Sequence, residues 1–365
     1  MRIRVCVNGN LHNVHLVVVP FFDRNTAKNT VKLITTLLET VCAPWQDKII
    51  AITTDGENTN TGWRNGVVSR LNRMATHQLM RVWCAPHQGY IVIRAATNEM
   101  DNGAFYKTAH AFSVHLRQQQ NLILEMQCPR DTNRWMYFER ILSFMLKHRR
   151  RLKQWIEEKQ PLSAPSPTCL VMCASVQPLA ELCNTTMTIL QSHDMILCQQ
   201  MADIKSLIGH LVTAMDVEAD ENPPDDLWYV RGQYWIQTQS VREHIYDQGS
   251  WARDLFNSLS AEDQSHVLHE VGQYTLQLIC GWSDVQAERD ERNNAGSIAP
   301  PVLPAQHVKL RTGTFISDVL DKYRAHIGLY CSAEDVEQVE AEHRGKQLVA
   351  SETLINKRLN CFLTR

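Results

Sequence analysis

Strand signals are confined to the chain ahead of Asn102, and that confinement limits the folds open to it. "RIRVCV" (Arg2 to Val7) alternates polar and apolar side chains, as a half-buried strand does. "NGN" supplies a hairpin turn, and "VHLVVVPFF" (Val14 to Phe22) follows as an apolar partner strand. Asn25 or Thr26 can cap a helix whose apolar positions Val31, Ile34, Leu38 and Val41 keep a helical period. "KIIAITT" (Lys48 to Thr54) reads as a short strand buried on both faces, as in parallel pairing. Gly66 to Met74 reads as helix and "LMRVWC" (Leu79 to Cys84) as the next strand. Pro86 suits the first turn of the helix after it. The order β-β-α-β-α-β-α predicts an α/β layer with a mixed sheet.

Beyond Asn102 the pattern is helical. "AFYKTAHAFSVHLRQQQNLILEM" is closed by "CPRDTN", and helix resumes at "RWMYFERILSFMLKHRRRLKQWIEEK" with Trp135, Phe138, Ile141 and Leu142 on one face. "PLSAPSPTC" (Pro161 to Cys169) is the best domain boundary, so a first domain is expected over 1–160. A helical region over 161–285 is split by the acidic "DVEADENPPDD". Residues 286–365 read as a polar, Pro-rich linker and a helical tail.

Composition excludes more than it suggests. At 365 residues with 44 % apolar side chains, the chain can bury a sizeable core. Its 37 Lys plus Arg nearly balance 39 Asp plus Glu, so any basic surface must be a local patch. The 11 Cys have no regular spacing, no secretory leader is evident, and no apolar run approaches the roughly 20 residues of a membrane span. A soluble intracellular protein with reduced thiols is expected, with no small-molecule substrate in evidence. G-x-x-x-x-G-K-[ST], G-x-S-x-G and H-E-x-x-H are all absent.

Three stretches carry chemistry. Asp55 follows a strand and precedes "GENTNTG", at the sheet edge where α/β proteins place metal ligands and catalytic acids. Equally, Asp55 and Asn58 can cap the next turn. Cys84 and His87 in "WCAPHQ" have the C-x2-H spacing of half a zinc site, with Cys128 and His110 or His115 as distant completions. They can equally be a thiol ending a strand and a His at a helix N-terminus, where it could donate to a phosphate. "KHRRRLK" is the densest basic run: Arg149 and Lys153 share a helical face, while Arg150 and Arg151 splay sideways. It is either a solvated face or a phosphate-tracking ridge. Arg134 and Trp135 just upstream place an aromatic beside cations, the local chemistry of base stacking, although a core tryptophan explains Trp135 as well.

Together, "IAITTDGENTNTG", "RVWCAPHQ" and "NRWMYF" resemble, in order, the catalytic domain of hAT-superfamily transposases. The resemblance spans about Arg2 to Lys153, and the helices up to about Trp282 look like that family's helical insertion. It implies an RNase H-like fold, with Asp55 as the second acid of the catalytic set. It sets Cys84 and His87 beside the active site and Trp135 near a distorted DNA end.

The departures are equally specific. The family's first acid lies on a strand upstream of the hairpin, whereas Asp23 follows the hairpin and Glu352 in "ASETL" lacks the pattern of the last acid. The family's first strand is central in its sheet, so without it Arg2–Val7 and Lys48–Thr54 are expected to expose edges and to leave a domain of marginal stability. One carboxylate does not hold two Mg²⁺ ions against their hydration, so the ancestral Mg²⁺ site is expected to be incomplete, with no working cofactor. The expected protein is transposase-derived, catalytically inactive and nuclear rather than cytoplasmic. Its expected partners are DNA, itself or an active transposase relative, and no membrane. A helical protein-interaction module and a fragment of an active transposase are the rival readings.

Overall fold

A computed structural model of the chain describes residues 2–7, 10–16, 18, 24–77, 79–119, 122, 126–129, 136–192, 197–219, 228–287, 310–322, 324–328 and 331–348. The turn at 8–9, Asp23, Arg134, Trp135, the acidic stretch 220–227, the linker 288–309 and Glu352 lie outside the described residues.

The first part of the chain follows the expected order. β1 (Arg2–Val7) and β2 (Asn10–His15) are antiparallel, with Arg2 opposite His15 and Val7 opposite Asn10. The partner strand begins upstream of the expected Val14 to Phe22, of which Val17 and Val19 to Phe22 lie outside the described residues, because a hairpin's register is set from its turn rather than from the most apolar run. α1 (Ala27–Val41) is capped by Thr26, whose Oγ1 accepts from Asn29 N at 3.3 Å. α2 (Trp45–Lys48), α3 (Asn58–Thr61) and α4 (Val67–Met74) are short. β3 (Ala51–Thr54) and β4 (Met80–Trp83) pair in parallel, with Thr54 opposite Trp83.

No mixed sheet forms among the described residues. β1 pairs only with β2 and β3 only with β4, so two two-stranded ladders stand where one sheet was expected. β3 is consequently not buried on both faces: Ala51 and Thr53 are exposed, while Ile52 and Thr54 are half-buried. Ile3 of β1 and Ile52 of β3 pack on the same small core of Val31, Leu38, Trp45, Val67, Leu71 and Leu79.

The chain divides elsewhere than the boundary expected at residue 160. One unit holds the described residues up to Cys84, with Ser192–Ala202 and those beyond 290; the other is Ala85–Gln191 with Asp203–Arg289. The Pro/Ser break lies inside the second unit because the helices on its two sides are joined. α7 (Met136–Lys147) meets α9 (Pro167–Leu190) where Gln177 Nε2 donates to Ser143 Oγ at 2.9 Å and to Glu139 Oε1 at 3.3 Å. Between them α8 (Arg149–Lys159) begins after a break at His148, where one continuous helix was expected.

This second unit is helical and holds the larger core. α5 (Ala85–Glu99) and α6 (Ala104–Gln118) are joined through Asp101, Asn102 and Gly103, all at positive φ. α10 (Leu197–Thr213), which belongs to this unit from Asp203 onward, leads to a sheet that the helical reading of this region omits. There β6 (Trp228–Arg231) and β7 (Tyr234–Gln237) form a hairpin turned at Gly232, with β5 (Glu218–Ala219) on β7's other side. α11 (Thr238–Asp247), α12 (Ser250–Asn257) and the long α13 (Ala261–Ala287) complete it. Buried His244 ties α11 to α9 by donating from Nε2 to Ser175 O at 2.8 Å, and burial lowers its pKa. Beyond 310, Phe315, Val319, Leu320 and Val339 make a small separate cluster.

α5 and α13 interlock through two glycines. A Cβ on Gly89 would stand 2.3 Å from the Trp282 ring, and one on Gly281 would stand 2.6 Å from Val92 Cγ1. Gly89→Ala is therefore expected to destabilise the chain by about 1–3 kcal/mol through overpacking. Helix propensity alone would favour alanine by about 1 kcal/mol, so a net loss isolates the steric effect. Urea unfolding checks it; a variant as stable as the parent would remove the interlock.

Candidate functional site

Parallel pairing of β3 and β4 sets Asp55 and Cys84 at the same end of one ladder. Each follows the last residue of its strand, and the ladder continues one step further as Cys84 N donates to Thr54 O at 2.9 Å. This is the C-terminal edge of a parallel pair, where strand ends present side chains to ligands. The next helix then begins at Ala85, with Pro86 and His87 in its first turn.

The Asp55 carboxylate already has local work. Its Oδ1 accepts from Asn60 Nδ2 at 2.6 Å and from the Glu57 backbone N–H at 3.3 Å. Asp55 thus caps the turn between β3 and α3 through the Glu57 N–H and the Asn60 side chain. Among the described residues, no group of three or more His, Cys, Asp or Glu side chains is gathered so as to hold a metal ion. Cys84 and His87 are half-buried, and the His87 ring stacks against Tyr90 at 6.3 Å between centroids. The candidates for completing a zinc site have surroundings of their own. Cys128 Sγ lies 3.9 Å from Ser113 O with its pKa raised by burial, His110 stacks on Tyr106, and His115 meets Trp155 edge-on.

The basic run is partly drawn inward. Arg149 Nη1 donates to Leu146 O at 2.9 Å and its guanidinium stands 5.4 Å from the Trp251 ring. Lys153 lies 3.8 Å from Glu157 one turn on. Arg150 is exposed and Arg151 half-buried, while Leu152 and Trp155 face the core. Arg134 and Trp135 cannot be set beside this helix, since they lie outside the described residues.

A residue that motif reading passed over stands eight positions beyond Asp55. Trp63 is 62 % exposed in the loop between α3 and α4. Its sequence signal was an absence: no Asp or Glu occurs between Glu57 and Glu99, while Arg64, Arg70, Arg73, Arg81 and Arg94 do. A near-neutral total hides that local excess.

No protein-family model, curated protein or solved structure matches this chain. No helix among the described residues is long and apolar enough to cross a membrane.

The turn geometry gives Asp55 a measurable structural part. Asp55→Ala is expected to cost about 1 kcal/mol, and Asp55→Asn distinctly less because an amide oxygen can accept the same two bonds. Thermal denaturation of both variants checks this, and an alanine variant as stable as the parent would contradict it.

Proposed function

We propose that this chain is a transposase-derived protein of hAT type, with an RNase H-like remnant, that retains association with nucleic acid without phosphoryl-transfer activity. What carries the reading is the placement of Asp55 and Cys84 side by side at the C-terminal edge of a parallel ladder, with His87 one turn into the following helix. That is the order in which the resemblance arranges an acidic ligand and a C-x2-H box. Against catalysis stands the chemistry of the donor set. Asp55 is tied into its own turn, and one carboxylate is too few for a pair of Mg²⁺ ions about 3.5–4 Å apart. Such a protein would act in the nucleus by occupying DNA or by pairing with itself or an active relative. Cys84, His87 and Asp55 would then serve as the scaffold of a lost site.

The larger core of the helical unit supports a second reading, a protein-interaction module in which the strands are scaffold. Filter binding of the full chain to DNA across salt concentrations separates the two. Nucleic-acid association predicts that log K falls linearly with log salt, by about 0.9 for each duplex phosphate neutralised. Binding indifferent to salt, or none beside self-association in sedimentation, would favour the second reading. Strand transfer in Mg²⁺ would overturn the absence of catalysis.

A further inference from the structure

The loop from Gly62 to Gly66 and the helix behind it form a charged aromatic tip for which the motifs above give no role. Gly66 N donates to Gly62 O at 2.7 Å, and Ser69 Oγ reaches the same carbonyl at 3.0 Å. A Cβ on Gly66 would stand 2.5 Å from Gly62 N, so the loop is wound too tightly for any other residue there. It therefore presents Trp63 from a fixed base. The guanidinium of Arg64 lies over the indole, 4.2 Å from the ring centroid.

Two arginines of α4 reach back onto the same loop. Arg70 Nε donates to Asn65 O at 2.8 Å, and Arg73 donates through Nη2 to Arg64 O and through Nε to Ser69 O. Three guanidiniums and one open indole thus share a few residues of chain. None of the three has an acidic partner among the described ion pairs, and residues 58 to 75 contain no Asp or Glu. In a protein of net charge −2, this tip gathers three arginines with no acid in ion-pair contact among the described residues. A solvated basic face would account for the arginines, but not for an indole held in the open beside them.

We propose that this tip binds single-stranded nucleic acid, with an unpaired base stacked on Trp63 and backbone phosphates at Arg64, Arg70 and Arg73. An aromatic face beside cations suits that ligand because every base has a π-face and every nucleotide a negative charge. An acidic peptide would satisfy the charges and leave the indole unused. The inference rests on the nucleic-acid reading above and names the surface responsible.

Fluorescence anisotropy of a labelled oligothymidylate of about 12 nucleotides, titrated with the full chain between about 50 and 200 mM salt, tests it. Trp63→Ala should weaken binding about tenfold or more without changing the salt slope, and Trp63→Phe should keep most of the affinity. Arg64→Gln with Arg73→Gln should lower the slope by about 0.7 for each phosphate no longer neutralised. The melting curves of the Trp63 variants should match the parent's. Unchanged affinity in Trp63→Ala, with the parent still binding, would overturn this surface and leave nucleic-acid association standing. Failure of the parent to bind either single strand or duplex would overturn both. Equal competition by an oligoglutamate would reassign the tip to an acidic protein segment.

Discussion

Within the helical unit, α5 and α13 meet through a double notch. Gly89 receives Trp282, and Gly281 receives Val92, so each helix offers one cavity and one side chain to the other. Trp282, Leu278 and Ile279 are wholly buried there, and Met187 of α9 closes the notch at Gly89. Because packed interiors have no spare volume, this contact fixes where the two helices can cross. It also brings the hairpin of β6 and β7 against α13, with the Tyr234 hydroxyl 3.0 Å from Ser283 Oγ. α5 begins directly after Cys84, so a helix committed to its own core starts where the β4 strand ends.

Much of the amino-terminal order was readable because its signals are local. A Thr cap, an apolar helical stripe, two short apolar strands and a Pro in a first turn each act within a few residues, and each is present. β3 nevertheless starts at Ala51 rather than at Lys48, which ends α2, and Val41 of the stripe is exposed. What escaped the sequence depends on partners distant in the chain. Whether strands join one sheet or two is a matter of pairing, and "IAITT" looks the same with one neighbour or two. The break at His148 carries no Pro or Gly to announce it. The hairpin "WYVRGQYWIQ" carries two short aromatic-rich runs about a glycine but no strict alternation, and helical stretches flank it on either side.

The candidate site divides along the same line. Asp55 at the end of a strand was readable, and so was its capping alternative, since an Asp before small polar residues permits both. Its choice of Asn60 as partner was not, because side-chain geometry in a turn follows from the turn's closure. The inward turn of Arg149 toward Trp251 was beyond reach for the same reason: it joins residues far apart in the chain. The Trp63 tip differs in kind, because a local motif consists of residues that are present and the tip is defined by the acids missing around it.

Hydrogen exchange of the full chain, with and without a single-stranded oligonucleotide, bears most directly on nucleic-acid association through the Trp63 tip. Added protection is expected over the loop and helix from Gly62 to Met74, with α5 and α13 unchanged. No change anywhere, or protection confined to Arg149–Lys159, would contradict it.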